Sequence, residues 1–173
     1  MPLMRSLHDV PLDELTPTRL WVTPDAPTRA LAARALFDGD RQVRDQANHA
    51  IAIALRVRDA GVRKLSLDRR VDYLARVVRP DDALASSLLI ALHLRCRQPL
   101  LVCFLEALQI PHQAGMVADD YELGRVAADA LEPAVAQLRE HFDAGDVDVY
   151  LARLALDPDV WGELGEVLQG AGA

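Results

Sequence analysis

At 173 residues the chain has the length of one domain, and its composition, 51% apolar but only 5% aromatic, describes a core of Ala, Leu and Val that favours close helix packing over a sheet sandwich. A formal charge of −7 and a pI near 5.1 argue against a general polyanion binder. The longest apolar run, Pro99 to Leu105, falls far short of the ~20 residues that span a bilayer, and two cysteines, Cys96 and Cys103, make no disulfide framework.

Charge is sorted along the chain. Residues 1–40 carry four Arg against six Asp/Glu, residues 41–97 twelve Arg/Lys against six, and residues 98–173 three Arg against fourteen. A basic middle followed by an acidic C-terminal part implies self-complementary packing or two faces of opposite sign. Eighteen of the nineteen basic residues are Arg, which reads first as the codon usage of a high-GC bacterial genome and second as a demand for bidentate anion contacts. Nothing between Met1 and Asp13 resembles a signal peptide, so the expected setting is soluble, reducing and cytoplasmic.

In chain order, residues 1–23 read as irregular, with one short turn near Leu12 to Leu15. Thr23 or Asp25 caps a helix through Phe37 that Gly39 stops. Asp40 caps the next, expected to run to Ala60 with Gly61 just beyond its end. On that helix Val43, Ala47, Ala50, Ile51, Ala54 and Val57 share a face that Ile53 and Leu55 widen. Only Arg41, Asp45, Asn48, His49, Arg56 and Asp59 remain as a polar strip. A helix apolar over more than half its circumference needs several covering neighbours, so this one is expected at the centre.

Ser66 caps an amphipathic helix over Leu67 to Val78, ended by Pro80, with Asp72 and Arg76 as an i,i+4 pair worth roughly 0.2–0.5 kcal/mol. Asp81 caps a helix to Cys96, and Pro99 opens another to Gln109. Both are apolar nearly all round and are expected as a buried central hairpin over about 82–110. A loop over Pro111 to Asp120 follows, then helices over Tyr121 to Leu131, Pro133 to Phe142 and Val147 to Leu156. Asp157 caps the last helix with Pro158 at its first position, turning Val160, Trp161, Leu164 and Leu168 inward, and residues 170–173 fray. The stretch from Asp72 through Pro80-Asp81 echoes at Val149 through Pro158-Asp159, which shared corner chemistry explains as well as duplication does. No segment alternates with period two for long enough to make a strand. The expected fold is all-α: a single domain, 1–173, of seven or eight helices in a compact bundle or short stack.

Chemistry-bearing residues each have a plain reading beside the functional one. Asp45 and His49, one turn apart, suit one metal or one proton, but equally a solvated strip in which Asp45 pairs with Arg41. His93 and Cys96 stand at i,i+3 with Cys103 on the next helix, yet a zinc site needs more short-range pairs, and free Cys packs as a small apolar group. Glu106 is the only charge between Gln98 and Ile110; it pairs with Arg95 or Arg97, faces solvent, or is a buried acid that does chemistry. His112, in a loop with Asp119 and Asp120 nearby, is a further catalytic candidate or simply part of a helix connection.

Phosphate-loop, dinucleotide, zinc-protease, nucleophile-elbow, EF-hand and di-iron signatures are all missing, which leans away from an enzyme and implies no cofactor. The leading expectation is a non-enzymatic protein-interaction or regulatory module. Its face of Arg63, Lys64, Arg69, Arg70, Arg76 and Arg79 would dock an acidic protein or the acidic C-terminal part of a second copy, giving a homodimer. One rival is a small-molecule or enzymatic pocket near His93, Glu106 and His112. Another is nucleic-acid binding through the Arg-rich stretch 41–79. Against it, Lys64 and Arg70 occupy positions where a helix-turn-helix needs apolar residues, and Tyr73 alone supplies an aromatic.

Overall fold

A computed structural model describes residues 14–170. The chain is all-α: eleven α-helices, one π-helical segment and a two-stranded ribbon make up the described residues. They fall into two compact units, one of residues 17–96, the other of residues 97–170 with 14–16. The stretch 1–23, expected to be irregular, contains the short helix Pro17–Trp21; the turn expected near Leu12 to Leu15 is described only at Glu14 and Leu15, and of the tail expected to fray, 170–173, only Gly170 is among the described residues.

The first unit contains α1 (Pro17–Trp21), α2 (Ala26–Phe37), α3 (Arg41–Leu55), α4 (Asp59–Arg63), α5 (Leu67–Arg76), α6 (Asp82–Ala91) and the π-helical segment Leu92–Cys96. Four helices start where a short polar side chain takes an orphan backbone N–H. Asp25 accepts from Thr28 at 2.8 Å, Asp40 from Gln42 at 2.6 Å, Ser66 from Arg69 at 3.3 Å and Asp81 from Leu84 at 2.9 Å. Helix α2 packs against α3, α5, α6 and the π-helical segment. Its Ala32 and Ala33 are wholly buried, and side chains this small let neighbouring backbones come close. Arg29 ties it to α5, with Nε donating to the carbonyl of Ala75 at 2.8 Å.

The expected centre, α3, is an ordinary amphipathic helix. It buries Ala47, Asn48, Ile51 and Ala52, while Ile53 is 66% exposed and Val57 lies outside the helix and open to water. It also stops five residues early. Arg56 adopts a left-handed backbone (φ 56°), its N–H donates to Ile53 O and that of Val57 donates to Ala52 O, a Schellman ending without glycine. Gly61, expected as the terminator, sits inside α4 instead. Apolar content alone did not decide burial here, because only one face of α3 meets neighbours.

The second unit holds α7 (Gln98–Ala107), β1 (His112–Gln113), β2 (Met116–Val117), α8 (Ala128–His141), α9 (Ala144–Leu154), α10 (Pro158–Trp161) and α11 (Leu164–Gly170). Phe104 anchors its core, edge-on to Tyr150 at 5.6 Å and tilted against Trp161 at 5.7 Å, with Leu131, Leu138, Leu151 and Leu164 fully buried around them. Burial pushes the Tyr150 phenol above its ordinary range and the Arg153 guanidinium below its own.

Three sequence expectations change in this unit. Tyr121 to Ala127 is not helical; Val126 N–H donates to Val160 O at 3.0 Å and Arg125 pairs with Glu163 at 2.6 Å, so the segment's partners lie on α10 and just beyond it. Pro133 stands inside α8 rather than at its start, leaving Asp129 O without the usual i+4 donor. The last helix is two, broken at Gly162-Glu163, and Asp157 makes no capping bond. The loop after α7 also carries a small antiparallel ribbon, turned by Ala114 and Gly115 with φ of 53° and 87°. The echoed corners differ: Asp81 caps α6 after Pro80, whereas Pro158 is itself the first residue of α10.

The two arms of the expected hairpin, α6 with its π-helical continuation and α7, belong to different units. The division at residue 97 falls beside the change of charge. Residues 17–96 carry fourteen Arg/Lys against nine Asp/Glu, and residues 97–173 four against fourteen. No single helix among the described residues is long and apolar enough to cross a membrane.

Candidate functional site: an arginine-lined cleft

The first turns of α3 place Arg41, Arg44, Asp45 and Asn48 at i, i+3, i+4 and i+7, on one face of the helix. Arg63 comes from the end of α4, Leu67 and Arg70 from the first turns of α5, and Phe37 closes α2. Together these eight residues line a cleft of about 390 Å³. Four guanidinium groups border it and a single carboxylate does.

Arg70 is the most closely engaged of the four. Its guanidinium carbon lies 5.0 Å from the centre of the Phe37 ring, a cation–π stack worth about 0.5–2 kcal/mol depending on desolvation. Its Nη1 donates to Asn48 Oδ1 at 3.2 Å, which explains a side-chain amide on the buried face of α3. Arg70 Nε, by contrast, is shut off from water and has no acceptor. A buried charged donor left unmatched costs roughly 1–3 kcal/mol.

The remaining charges are held loosely. Asp45 accepts from Arg63 Nη2 at 3.2 Å and faces Arg41 Nε at 3.7 Å, with all three side chains substantially exposed. Such pairs contribute about 0–1 kcal/mol each and exchange readily. Arg44 has no carboxylate partner among the described residues. The cleft therefore presents more cationic donors than it satisfies.

The sequence candidates are dispersed. Asp45 serves the arginines, whereas His49 pairs with Asp59 at 3.2 Å, so the two do not share a ligand. His93 is buried in the π-helical segment of the first unit, with Cys96 half-buried at its end. Glu106 and His112 belong to the second unit. Glu106 is exposed on α7, and Arg97, one partner considered for it, pairs with Asp146 at 2.6 Å. His112 Nδ1 accepts from Gly115 N–H at 3.4 Å, a bond that braces the ribbon turn. Burial holds the Cys103 thiol above its ordinary range, opposed by a bond from Gln137 and aided by the nearby Glu106 charge. No group of three or more His, Cys, Asp or Glu side chains among the described residues is arranged to hold a metal ion.

Of the basic face, Arg63 and Arg70 line the cleft; Lys64, Arg69 and Arg79 are exposed, and Arg76 is engaged by Asp72 at 2.6 Å. Sequence reasoning missed Phe37 and Asn48 as site residues. Asn48 carried a usable signal: beside Ala47 and three residues before Ile51, it stands where the apolar face has to bury it. A second cleft, of about 420 Å³, lies in the other unit between α8 and α11, lined by Glu132, Val135, Arg139 and Glu166 among others. None of His93, Glu106 and His112 lines either cleft. Comparison of the chain with protein-family models, with curated proteins and with solved structures found no match.

Proposed function

We propose that this protein is a non-enzymatic interaction module, in which residues 17–96 dock an acidic segment of a protein partner. The observation that carries the reading is the cleft itself, where Arg41, Arg44, Arg63 and Arg70 meet one carboxylate, Asp45. Guanidinium forks match carboxylates bidentately, and a surplus of them on one face steers an acidic partner toward it. The partner is a separate protein or the acidic stretch of a second copy; the two free cysteines, Cys96 and Cys103, suit a reducing cytoplasm for either.

The experiment is a titration of the full chain with a labelled Glu/Asp-rich peptide, followed by fluorescence anisotropy at about 0.05 and 0.5 M NaCl. Binding should weaken with salt and be abolished in the triple variant Arg41→Glu, Arg44→Glu, Arg63→Glu. No binding at low salt, or binding indifferent to the triple change, would rule the reading out. Light scattering over the same salt range separates the two partners: a mass that halves as salt rises identifies a second copy.

A further inference from the structure

We propose that the cleft recognises a phosphate monoester, so that the acidic segment it docks is one bearing a phosphorylated side chain; this rests on the docking role proposed above. The first argument is charge. Four guanidinium groups against Asp45 leave a formal excess of three positive charges around about 390 Å³. One incoming carboxylate cancels a third of that excess. A phosphate monoester brings about −1.5 to −2 at neutral pH, with three acceptor oxygens on one atom.

The second argument is donor geometry. Arg70 is held by its stack on Phe37 and its bond to Asn48, so it meets a ligand with little conformational freedom left to lose. Arg44 brings a fork that no carboxylate among the described residues occupies. Arg41 and Arg63 share one exposed Asp45 at 3.7 and 3.2 Å and are free to turn to a stronger anion. A tetrahedral oxyanion offers acceptors in several directions at once, as convergent forks from α3, α4 and α5 require. Nucleic acid fits less well. Its bases need exposed aromatic faces, and the one aromatic lining the cleft, Phe37, is buried beneath Arg70.

The test uses the full chain and one short Glu-flanked peptide in three forms, with phosphoserine, Glu or Ser at its centre. Anisotropy titrations at about 0.15 M NaCl should show the phosphoserine form binding at least about tenfold more tightly than the Glu form, the scale of one added charge-assisted contact. Arg44→Ala, at an exposed position, should lose about tenfold for the phosphoserine form and far less for the Glu form. Arg70→Lys, which keeps the charge but not the fork, should narrow the gap between the two; thermal melts confirm that both variants fold. Equal affinity for the phosphoserine and Glu forms, with both lost in the arginine triple variant, would overturn the phosphate specificity and leave the docking role standing. Failure of every peptide to bind would overturn both. Free phosphoserine binding as tightly as the peptide, or a single-stranded oligonucleotide displacing it at lower concentration, would overturn the assignment to a protein segment.

Discussion

Asp82 shows how a fully solvated carboxylate can still be specialised. It opens α6, and Thr18 of α1 gives it two donors: Oγ1 at 2.7 Å, then the backbone N–H at 3.1 Å. These bonds favour the charged form and hold its carboxyl below the ordinary range. A carboxyl whose native value is depressed stabilises the fold above its unfolded value, about 4, and loses that contribution as pH falls through the lower native one. Asp82→Asn should therefore lower the urea midpoint at pH 7, and the deficit should shrink steadily once the pH is taken below about 4. A deficit that stays constant across that range would mean the charge on Asp82 plays no part. At the same scale, Asn48 shows the limit of reading single letters. Its place on the helix face accounts for its burial, but its donor is Arg70, twenty-two positions away, and helical periodicity carries no information about so distant a partner.

Helix ends were more legible than helix faces. Asp25, Asp40, Ser66 and Asp81 all cap where local sequence puts them, since a cap needs only its own side chain and the next three amides. Faces depend on which elements arrive from elsewhere. Ile53 is apolar and bare, and the bundle arrangement that leaves it so is not local information. The left-handed ending at Arg56 was hidden for a related reason: glycine is the usual marker, and here, as at Gln109 after α7, a long polar residue adopts the strained backbone. Arg56→Gly should relieve that strain and raise stability by about 0.5–1 kcal/mol in urea melts. Gly115→Ala should do the opposite. A methyl there meets Leu101 Cβ at 3.0 Å on a backbone with φ of 87°, and a loss of roughly 1–2 kcal/mol is expected by the same measurement. An unchanged midpoint in either variant would contradict the corresponding backbone argument. For the candidate site, Arg41, Arg44, Arg63 and Arg70 were all visible as a basic run. Their convergence on one cleft required the turns between α3, α4 and α5, which no spacing rule supplies.

Over the whole chain, like charges crowd the C-terminal part. Residues 97–173 hold fourteen Asp/Glu with only four Arg, and three of those arginines are engaged by Asp146, Glu163 and Asp148. Mutual repulsion among the rest acts over distances that salt screens, whereas exposed ion pairs contribute little to begin with. Raising NaCl from about 0.02 to 0.3 M should therefore increase, not decrease, the urea midpoint of the full chain; a fall would show that local pairs outweigh the crowding. The place where charge changes sign has its own consequence. It lies beside the junction of the two compact units, at Cys96-Arg97. A protease cutting there would turn one acidic polypeptide into two fragments that migrate to opposite electrodes at neutral pH.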